Sequence, residues 1–393
     1  MCLGPSSKRS SSGRERKLRP FAEVISETMR RLTQLTVQGY KSIKNQTLDL
    51  GRLNVLIGGN GVGKSNLIDV FKFLRNLYDG GLETSVALAG GANALLHFGR
   101  KVSSQLRIQA VFAEEGSEQR NAYKATLRPT DEDKLIFSSE SAGFHDTSKY
   151  PQPYWDELGF GHGESKLKNV KTRIAGWVTS DLASYRVYHF HDTSDSAFVK
   201  QSGDVSDNRF LQTDARNLAA FLYWMKLKHP ATVQLIEDVV RQIAPFFDRF
   251  ELSPSRINEE KIRLEWREVG SDSYFNAHQL SDGTLRFICL ATLLLQPELP
   301  RMVLLDEPEL GLHPAAIVLL SELLQQAALR TQVLVATQSV TLVNQLSPQD
   351  VWVADRLLSA TVFHHLAGDD LSEWTGAYAL GELWEKNVLG GRP

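Results

Sequence analysis

The chain has 393 residues with a formal net charge of −2, and 42% of its residues are hydrophobic. This balance is typical of a globular protein and excludes wholesale disorder, while the length predicts about two structural units. The longest apolar run, residues 287–295, is too short to cross a bilayer, which takes about 20 residues, so a membrane-embedded protein is excluded.

Basic residues are concentrated at the start of the chain. Residues 1–20 hold six Lys or Arg and one Glu, so the rest of the chain carries a net charge of −7. Residues 1–28 are expected to be a disordered extension, or the product of a wrong start upstream of Met29. A basic arm that contacts nucleic acid is the alternative. The two cysteines, Cys2 and Cys289, can build neither a disulfide framework nor a cysteine zinc site, which fits a reducing cytoplasm.

From residue 32 onwards the sequence predicts strands first. Short strands are indicated at 32–40, 46–50 and 53–57, and the third runs through a glycine-rich loop into a helical pattern. Two more strands are indicated at 106–113 and 123–129. This order is typical of the first half of an α/β domain.

Residues 131–260 have a different pattern. Helical periodicity near 165–185, 213–228 and 231–247 predicts a mostly helical insertion, with one strand candidate at 186–190. Strand signals return after residue 260. They are indicated at 261–267, 302–308 and 334–337, and in a final pair near 351–366.

The loop after the strand at 53–57 matches the phosphate-binding pattern G-x-x-x-x-G-K-[ST] in full. Its glycines let backbone N–H groups turn toward phosphates, Lys64 reaches the β and γ oxygens, and the Ser65 hydroxyl can ligate Mg²⁺. The helix that follows adds the positive end of its dipole. The predicted nucleotide-binding residues here are Gly58, Gly59, Asn60, Gly61, Val62, Gly63, Lys64, Ser65 and Asn66.

A second motif ends the apolar strand at 302–308 with two carboxylates, Asp306 and Glu307. Asp306 is predicted as a buried group at the strand end that supports Mg²⁺. Glu307 faces the other way and can polarise the attacking water. Taken alone, the same residues are also compatible with a strand followed by an acidic helix start.

A third motif, residues 280–284, precedes the apolar helix and contains Ser281 and Gly283. Within a single chain these residues are typical of a helix cap. The more specific hypothesis is that this helix N-terminus contacts the γ-phosphate of a nucleotide held by a second molecule.

The order of these motifs resembles the ATPase heads of the ABC and SMC/RecF group. More narrowly it resembles the stand-alone AAA-family ATPases related to the ATPase half of OLD proteins. The similar segments are 38–45 for the N-terminal strand, 58–66 for Walker A, 280–284 for the signature, 303–308 for Walker B, 309–314 for the D-loop and 336–339 for the switch. The resemblance implies an α/β fold, a P-loop NTPase of the ABC-type head. Its N-terminal ATPase lobe is expected at 29–130, a mostly helical insertion at 131–260 and a C-terminal ATPase lobe at 261–393.

The resemblance also implies roles for single residues. Lys64 and Ser65 hold phosphate and Mg²⁺, Asp306 supports Mg²⁺ and Glu307 is the catalytic base. Ser281 and Gly283 close over the γ-phosphate bound by the partner subunit.

Three departures from the family pattern concern turnover. The switch histidine is replaced by Gln338, which can donate a hydrogen bond but not a proton. His313 stands where the D-loop aspartate is expected, and only Gln105 and Gln109 are candidates for a Q-loop. Slow turnover is therefore expected.

Two polar clusters have competing interpretations. His189, His191 and Asp192 could ligate a metal, but histidines two apart on a strand are more often partly buried strand residues. The basic residues between 166 and 173 form either a solvated helix face or a contact with the DNA backbone.

These features predict an ATPase that uses Mg²⁺, sits in the cytoplasm away from membranes and forms a homodimer around ATP. The resemblance implies DNA repair or defence against phage. After Gln338 only about 55 residues remain, with one pair, Asp369 and Asp370, so a nuclease or other effector is expected on a separate chain. The alternative is a nucleotide-gated scaffold that binds ATP and a partner with little turnover. A transporter nucleotide-binding subunit is disfavoured by the length and the insertion.

Overall fold

The computed structural model describes residues 30–366, 371 and 378–392. The expectations for residues 1–28, for Met29 and for the pair Asp369 and Asp370 fall outside the described residues. Within the described ranges, no helix has the length and apolar character needed to cross a membrane.

The strands follow the chain in the order expected up to residue 129 and add several elements after it. They are β1 (Arg31–Tyr40), β2 (Ile43–Asp49), β3 (Leu53–Ile57), β4 (Leu106–Ala113), β5 (Gln119–Pro129), β6 (Leu135–Asp146), β7 (Tyr154–Gly159), β8 (Tyr185–Tyr188), β9 (Gly203–Asp204), β10 (Phe247–Phe250), β11 (Lys261–Ile262), β12 (Glu265–Glu268), β13 (Phe275–Asn276), β14 (Met302–Asp306), β15 (Gln332–Ala336), β16 (Val351–Leu357) and β17 (Ala360–His365).

The helices cluster around the glycine-rich loop, the middle of the chain and its C-terminal third. They are α1 (Lys64–Asp79), α2 (Leu82–Leu88), α3 (Ala92–Leu95), α4 (Arg173–Ala183), α5 (Leu218–Lys228), α6 (Pro230–Ile243), α7 (Asp282–Leu295), α8 (Pro314–Ala328), α9 (Val340–Val343) and α10 (Leu380–Glu385).

The central sheet has the strand order β17-β16-β3-β15-β14-β8. All neighbours pair in parallel except β17, which is antiparallel at one edge. Every residue of β3 and β15 is buried, as expected for parallel strands covered on both faces. The carboxyl ends of β3, β14 and β15 therefore meet at one edge of the sheet, where α/β folds place their ligands.

The second large sheet is antiparallel, with the order β2-β1-β4-β5-β6-β7. Along β4, Leu106, Ile108, Ala110 and Phe112 are buried while the residues between them are not, so one face of this sheet packs on the interior. That face shares a hydrophobic core with α1 and with Leu56 of β3.

The opposite face of the central sheet is covered by a helical layer. Val55 and Ile57 of β3 belong to a core that includes residues of α5, α6, α7 and α8. Because neighbouring residues of a strand point to opposite faces, β3 stands between the two cores and the glycine-rich loop leaves from the centre of the molecule.

The segment 131–260 differs from the expected mostly helical insertion. Its helices α4, α5 and α6 fall in the predicted places, but β6 and β7 extend the antiparallel sheet and β8 joins the central sheet beside β14. Three of the twelve residues of β6 are serine, and it also contains one Glu, one Gly and one Asp, of which Gly and Asp are depleted in strands. This composition did not indicate a strand, so the pairing with β5 was not predicted. The segment contributes strands to both sheets and also carries helices.

Candidate nucleotide-binding site

The glycine-rich loop joins β3 to α1 in a conformation that needs glycine. Gly58, Gly61 and Gly63 have φ values of 148°, 74° and 111°, which other residues rarely adopt. Gly63 precedes α1 and supplies no side-chain cap. The first N–H groups of α1 are thus left to an external acceptor, the arrangement in which helix N-termini bind phosphate.

The loop is held from outside by two hydroxyl side chains, which the sequence analysis did not identify. Thr361 Oγ1 on β17 lies 2.6 Å from both the Val62 carbonyl oxygen and Ser42 Oγ. Asn66 Nδ2 donates to Ser42 Oγ at 2.7 Å. A Cβ on Gly63 would stand 2.1 Å from Thr361 Oγ1, so this glycine is also required by space. Ser42 lies in the segment 38–45, and the resemblance of that segment to the N-terminal strand of the family was the only indication in the sequence that Ser42 matters.

Lys64 lies inside the loop and is only 6% exposed. Its Nζ donates to the carbonyl oxygens of Gly58 at 2.6 Å and Gly59 at 3.0 Å. Burial lowers the pKa of Lys64, and the nearby Glu307 and Asp306 oppose that shift. The Lys64 ammonium therefore lies at the loop with acidic groups nearby, where it can contact a bound phosphate.

Asp306 ends β14 and Ser65 begins α1, and the structure brings the two predicted Mg²⁺ ligands together. Burial raises the pKa of Asp306, while the nearby Ser65 hydroxyl acts in the opposite direction. A hydroxyl beside a carboxylate fits Mg²⁺, which is usually held by few protein oxygens together with phosphate oxygens. These two residues would hold the ion when nucleotide is bound.

Glu307 is turned away from Asp306 by a left-handed backbone, with φ at 45°. Its backbone N–H donates to the Ala336 carbonyl at 2.8 Å, which fixes this turn against β15. The Gln338 side chain donates from Nε2 to Glu307 Oε1. The predicted base and the predicted switch residue are therefore direct partners.

Glu309 is a further acidic residue at the site that the sequence analysis missed. Its Oε1 accepts from Thr337 Oγ1 at 2.5 Å and from the Gln338 backbone N–H at 3.1 Å. Its Oε2 is buried and has no hydrogen-bond partner among the described residues. Burial raises the pKa of Glu309. One carboxylate thus fixes the backbone of the switch, while the switch side chain fixes Glu307.

The signature residues lie at the N-terminus of α7, with Ser281 exposed and Gly283 partly exposed. Ser281 Oγ accepts from the Thr284 backbone N–H at 3.2 Å. A Cβ on Gly283 would stand 2.6 Å from the Gly311 carbonyl oxygen, so the signature packs directly on the D-loop segment. Among the described residues, no hydrogen bond or ion pair joins 281–284 to the loop 58–66.

Arg286, one turn into α7, ties the signature helix to two other segments and was also missed. Its Nε donates to the Phe190 carbonyl at 2.9 Å, and one terminal nitrogen donates to the His191 carbonyl at 3.1 Å. The other terminal nitrogen donates to the Leu310 carbonyl. Burial lowers its pKa. The sequence marks Arg286 only as a charged residue within an apolar helix, which does not by itself indicate its partners.

Other predicted residues have structural roles. His313 is the N-cap of α8, and its Nδ1 accepts from the Ala315 N–H at 3.3 Å. Gln109 lies on β4 and lines a separate cavity of about 410 Å³ against the antiparallel sheet. Gln105 precedes that strand, with its carbonyl facing Gly39.

The histidine cluster lies after β8, which ends at Tyr188, so the structure does not place these residues on a strand. The rings of His189 and His191 lie 6.1 Å apart. Burial lowers the pKa of His189 to about 4. In the part of the chain that the structure describes, no group of three His, Cys, Asp or Glu residues is close enough to hold a metal.

The parallel sheet, the glycine-rich loop before α1 and the paired carboxylates after β14 define an ATP-binding head of the ABC/SMC type. Residues 53–344 match the family described as "AAA domain, putative AbiEii toxin, Type IV TA system". The chain belongs to this family.

A curated relative and two solved structures are similar to the chain. The "Putative ABC transporter ATP-binding protein" of Methanosarcina acetivorans is 29% identical over 195 residues, which cover 49% of this chain and 64% of that protein.

An Smc head bound to the C-winged helix domain of ScpA superimposes with a TM-score of 0.60 at 15% identity, covering 87% of this chain and 99% of that one. An Smc head with an extended coiled coil, bound to the C-terminal domain of ScpA derived from Pyrococcus furiosus, gives a TM-score of 0.55 at 14% identity, covering 88% of this chain and 99% of that one. At these identities, the two structures establish the fold.

Proposed function

We propose that this protein hydrolyses ATP with Mg²⁺ and works as a homodimer that closes over two ATP molecules. The observation that carries the proposal is the hydrogen bond from Gln338 to Glu307, on the same sheet edge as Lys64 and the Ser65–Asp306 pair. A carboxylate held in one orientation beside a phosphate site can polarise water for attack on the γ-phosphate.

The dimer is supported by the position of the signature residues. Ser281 is exposed at a helix N-terminus, where backbone N–H groups attract anions. Its recorded hydrogen-bond partners are within its own turn. A second subunit that presents this turn to bound ATP would complete the phosphate site from the open side.

The test combines turnover with solution mass. ATP hydrolysis is measured for the wild type and for Glu307→Gln, and the mass of that variant is measured by light scattering with and without ATP and Mg²⁺. We expect hydrolysis in the wild type and an ATP-dependent dimer of the variant. The matched control is Glu322→Gln on α8, where the carboxylate is exposed. A wild type that binds no ATP, or a mass that ATP does not change, would contradict the corresponding part of the proposal.

The second candidate function is a nucleotide-gated scaffold, which binds ATP and a partner with little turnover. Gln338 favours it, because an amide in the switch cannot transfer a proton, and so does His313, which caps α8 instead of acting as a D-loop acid. Glu307→Gln decides between the two functions in the cell. Retained biological activity supports the scaffold, and lost activity supports the ATPase.

We further infer a cytoplasmic, DNA-linked role in repair or in defence against phage, carried out with a separately encoded effector such as a nuclease. The family's description as a toxin of a type IV system and the Smc heads bound to ScpA support a partner protein. Co-purification from cells that express the tagged chain, with and without nuclease treatment, tests for a protein partner and for DNA.

A further inference from the structure

Gly59 occupies a position of the phosphate-binding pattern that does not call for glycine. Its φ is not positive, unlike those of Gly58, Gly61 and Gly63, so backbone conformation does not explain it. A Cβ at Gly59 would stand 2.6 Å from the carbonyl oxygen of Arg392. The glycine is therefore required because another part of the chain lies against the loop.

That part of the chain approaches through a second glycine. A Cβ on Gly391 would stand 2.5 Å from Val353 Cγ1, 2.8 Å from the Ala354 carbonyl oxygen and 3.6 Å from Gly58 Cα. Residues 391–392 thus run along β16 and end on the first two residues of the phosphate-binding loop. Backbone lies close to backbone there, beside the Val353 side chain.

The segment is anchored at both ends of its course. Trp384 is fully buried, and its indole N–H donates to the Gly391 carbonyl at 2.6 Å. At the start of α10, the Gly381 N–H donates to Asn344 Oδ1 at 2.8 Å. Asn344 ends α9, which begins directly after the switch. Residues 380–392, which we call the strap, therefore connect the switch helix to the phosphate-binding loop.

The strap ends in a basic residue whose charge is not used elsewhere. Arg392 is exposed, and no ion pair or side-chain hydrogen bond is recorded for it among the described residues. Its carbonyl oxygen lies against Gly59, which places an exposed arginine next to the phosphate-binding loop. A guanidinium binds phosphate oxygens with two parallel N–H groups.

We propose that the strap delivers Arg392 to the phosphates of the bound nucleotide, as a second basic group beside Lys64. This inference rests on the proposed binding of ATP. It assigns the ligand of Arg392 as a nucleoside triphosphate. The close approach of the strap explains why Gly59 is glycine, while Gly391 also has a positive φ of 56°.

The test measures the Kd for ATP with Mg²⁺ in the full-length chain, by competition with a fluorescent ATP analogue. Arg392→Ala is expected to raise the Kd about tenfold, the loss of roughly one charge-assisted hydrogen bond. Arg392→Lys is expected to give a Kd between those of the wild type and Arg392→Ala, since a lysine keeps the charge but lacks the two parallel N–H groups. The matched control is Arg256→Ala, which removes an exposed arginine before β11 and is expected to leave the Kd unchanged.

A second variant tests delivery by the strap. Trp384→Phe keeps a buried aromatic ring but removes the N–H that holds Gly391. We expect it to raise the Kd, and Arg392→Ala to have a smaller effect in this background than in the wild type, because both changes act on one contact. Circular dichroism checks that the variant is folded.

The two proposals fail in different ways. If the wild type binds ATP and Lys64→Ala abolishes binding, ATP binding stands. An Arg392→Ala variant with an unchanged or lower Kd then overturns the role of the strap alone. If the wild type binds no ATP, the proposed function fails first.

Discussion

The two halves of the proposed composite site are built differently. The Walker half brings together the loop 58–66, the carboxylates at the end of β14 and the switch after β15, and the carboxylates bond to the switch. Gln338 donates to Glu307, and Glu309 accepts from Thr337. The signature half is a single helix turn, in which the hydrogen bonds of Ser281 among the described residues go to Thr284 and Leu285 of the same turn.

This difference indicates what each half can do alone. The Walker half is organised before any ligand arrives, and preorganised groups are what catalysis requires. The signature half is rigid, since Arg286 ties α7 to the chain at Phe190, but its phosphate-facing turn is exposed. A monomer would then bind ATP without completing the site, and turnover would depend on the second subunit.

The largest effect is expected from replacing Glu307, the proposed catalytic base of the Walker half. Glu307→Gln should lower kcat by about 10²–10⁴-fold, because the group that polarises water is lost. The Kd for ATP should change little, since Lys64 and the loop are intact. Single-turnover hydrolysis and equilibrium binding measure the two quantities. A higher Kd with an unchanged kcat would mean that Glu307 serves binding and not the chemical step.

The next prediction is that a subunit with a defective Walker half and a subunit with a defective signature half complement each other. Lys64→Ala disables the Walker half, and Ser281→Arg places a bulky cation in the signature turn. Each variant alone should be inactive. In a mixture, heterodimers contain one site with an intact Walker half and an intact signature half. With equal amounts and random pairing, we expect activity to return to roughly a quarter of the wild-type value.

The mixture needs its own control. Combining both substitutions in one chain and mixing it with either single variant leaves every site damaged, so no activity should return. If the mixture of single variants also stays inactive although differently tagged subunits co-purify as heterodimers, the signature half does not act across the interface.

A smaller effect is expected at Glu309. Glu309→Gln keeps the shape but removes the negative charge that orders Thr337 and the Gln338 backbone. Losing part of that interaction is expected to lower kcat about three- to tenfold, with the Kd for ATP unchanged. The comparison variant is Glu322→Gln on α8, which should match the wild type. A change in Kd without a change in kcat would show that Glu309 supports binding.

Much of the Walker half could be predicted from sequence because its residues lie within short motifs. The loop 58–66 and the pair Asp306 and Glu307 follow apolar strands, and parallel strands bring their ends to one sheet edge. The Ser65–Asp306 contact and the Gln338–Glu307 contact follow from that geometry. Glu309 was missed although it belongs to the same segment, because nothing local marks a carboxylate that bonds to the next strand's loop.

What the sequence could not supply are contacts over long separations. Thr361 supports Val62, and Arg392 lies against Gly59, although each pair is about three hundred residues apart. The strands β6 and β7 were missed for a related reason. β6 pairs with β5 and β7 pairs with β6, and this pairing, which the local sequence does not show, makes them strands. Local strand propensity therefore predicts such strands poorly, even where the neighbouring motifs are clear.

The last prediction concerns the stability of the segment between the two halves and not activity. His189 lies just before the carbonyls of Phe190 and His191 that Arg286 binds. Burial, with the positive charges of Lys72 and His191, lowers the pKa of His189 to about 4, and Asp69 opposes the shift. Since the unfolded chain keeps a pKa of about 6.5, it binds more protons than the folded chain between these values.

The free energy of unfolding should therefore fall as the pH drops from about 6.5 to about 4, and His189 should contribute at most about 3 kcal/mol of that loss. Urea unfolding at several pH values measures it. His189→Asn removes the titrating group, so its curve should be flatter over this range. A matched change at the exposed His364 should leave the slope unaltered. Parallel curves for the wild type and His189→Asn would show that the segment joining the two halves is not sensitive to protonation.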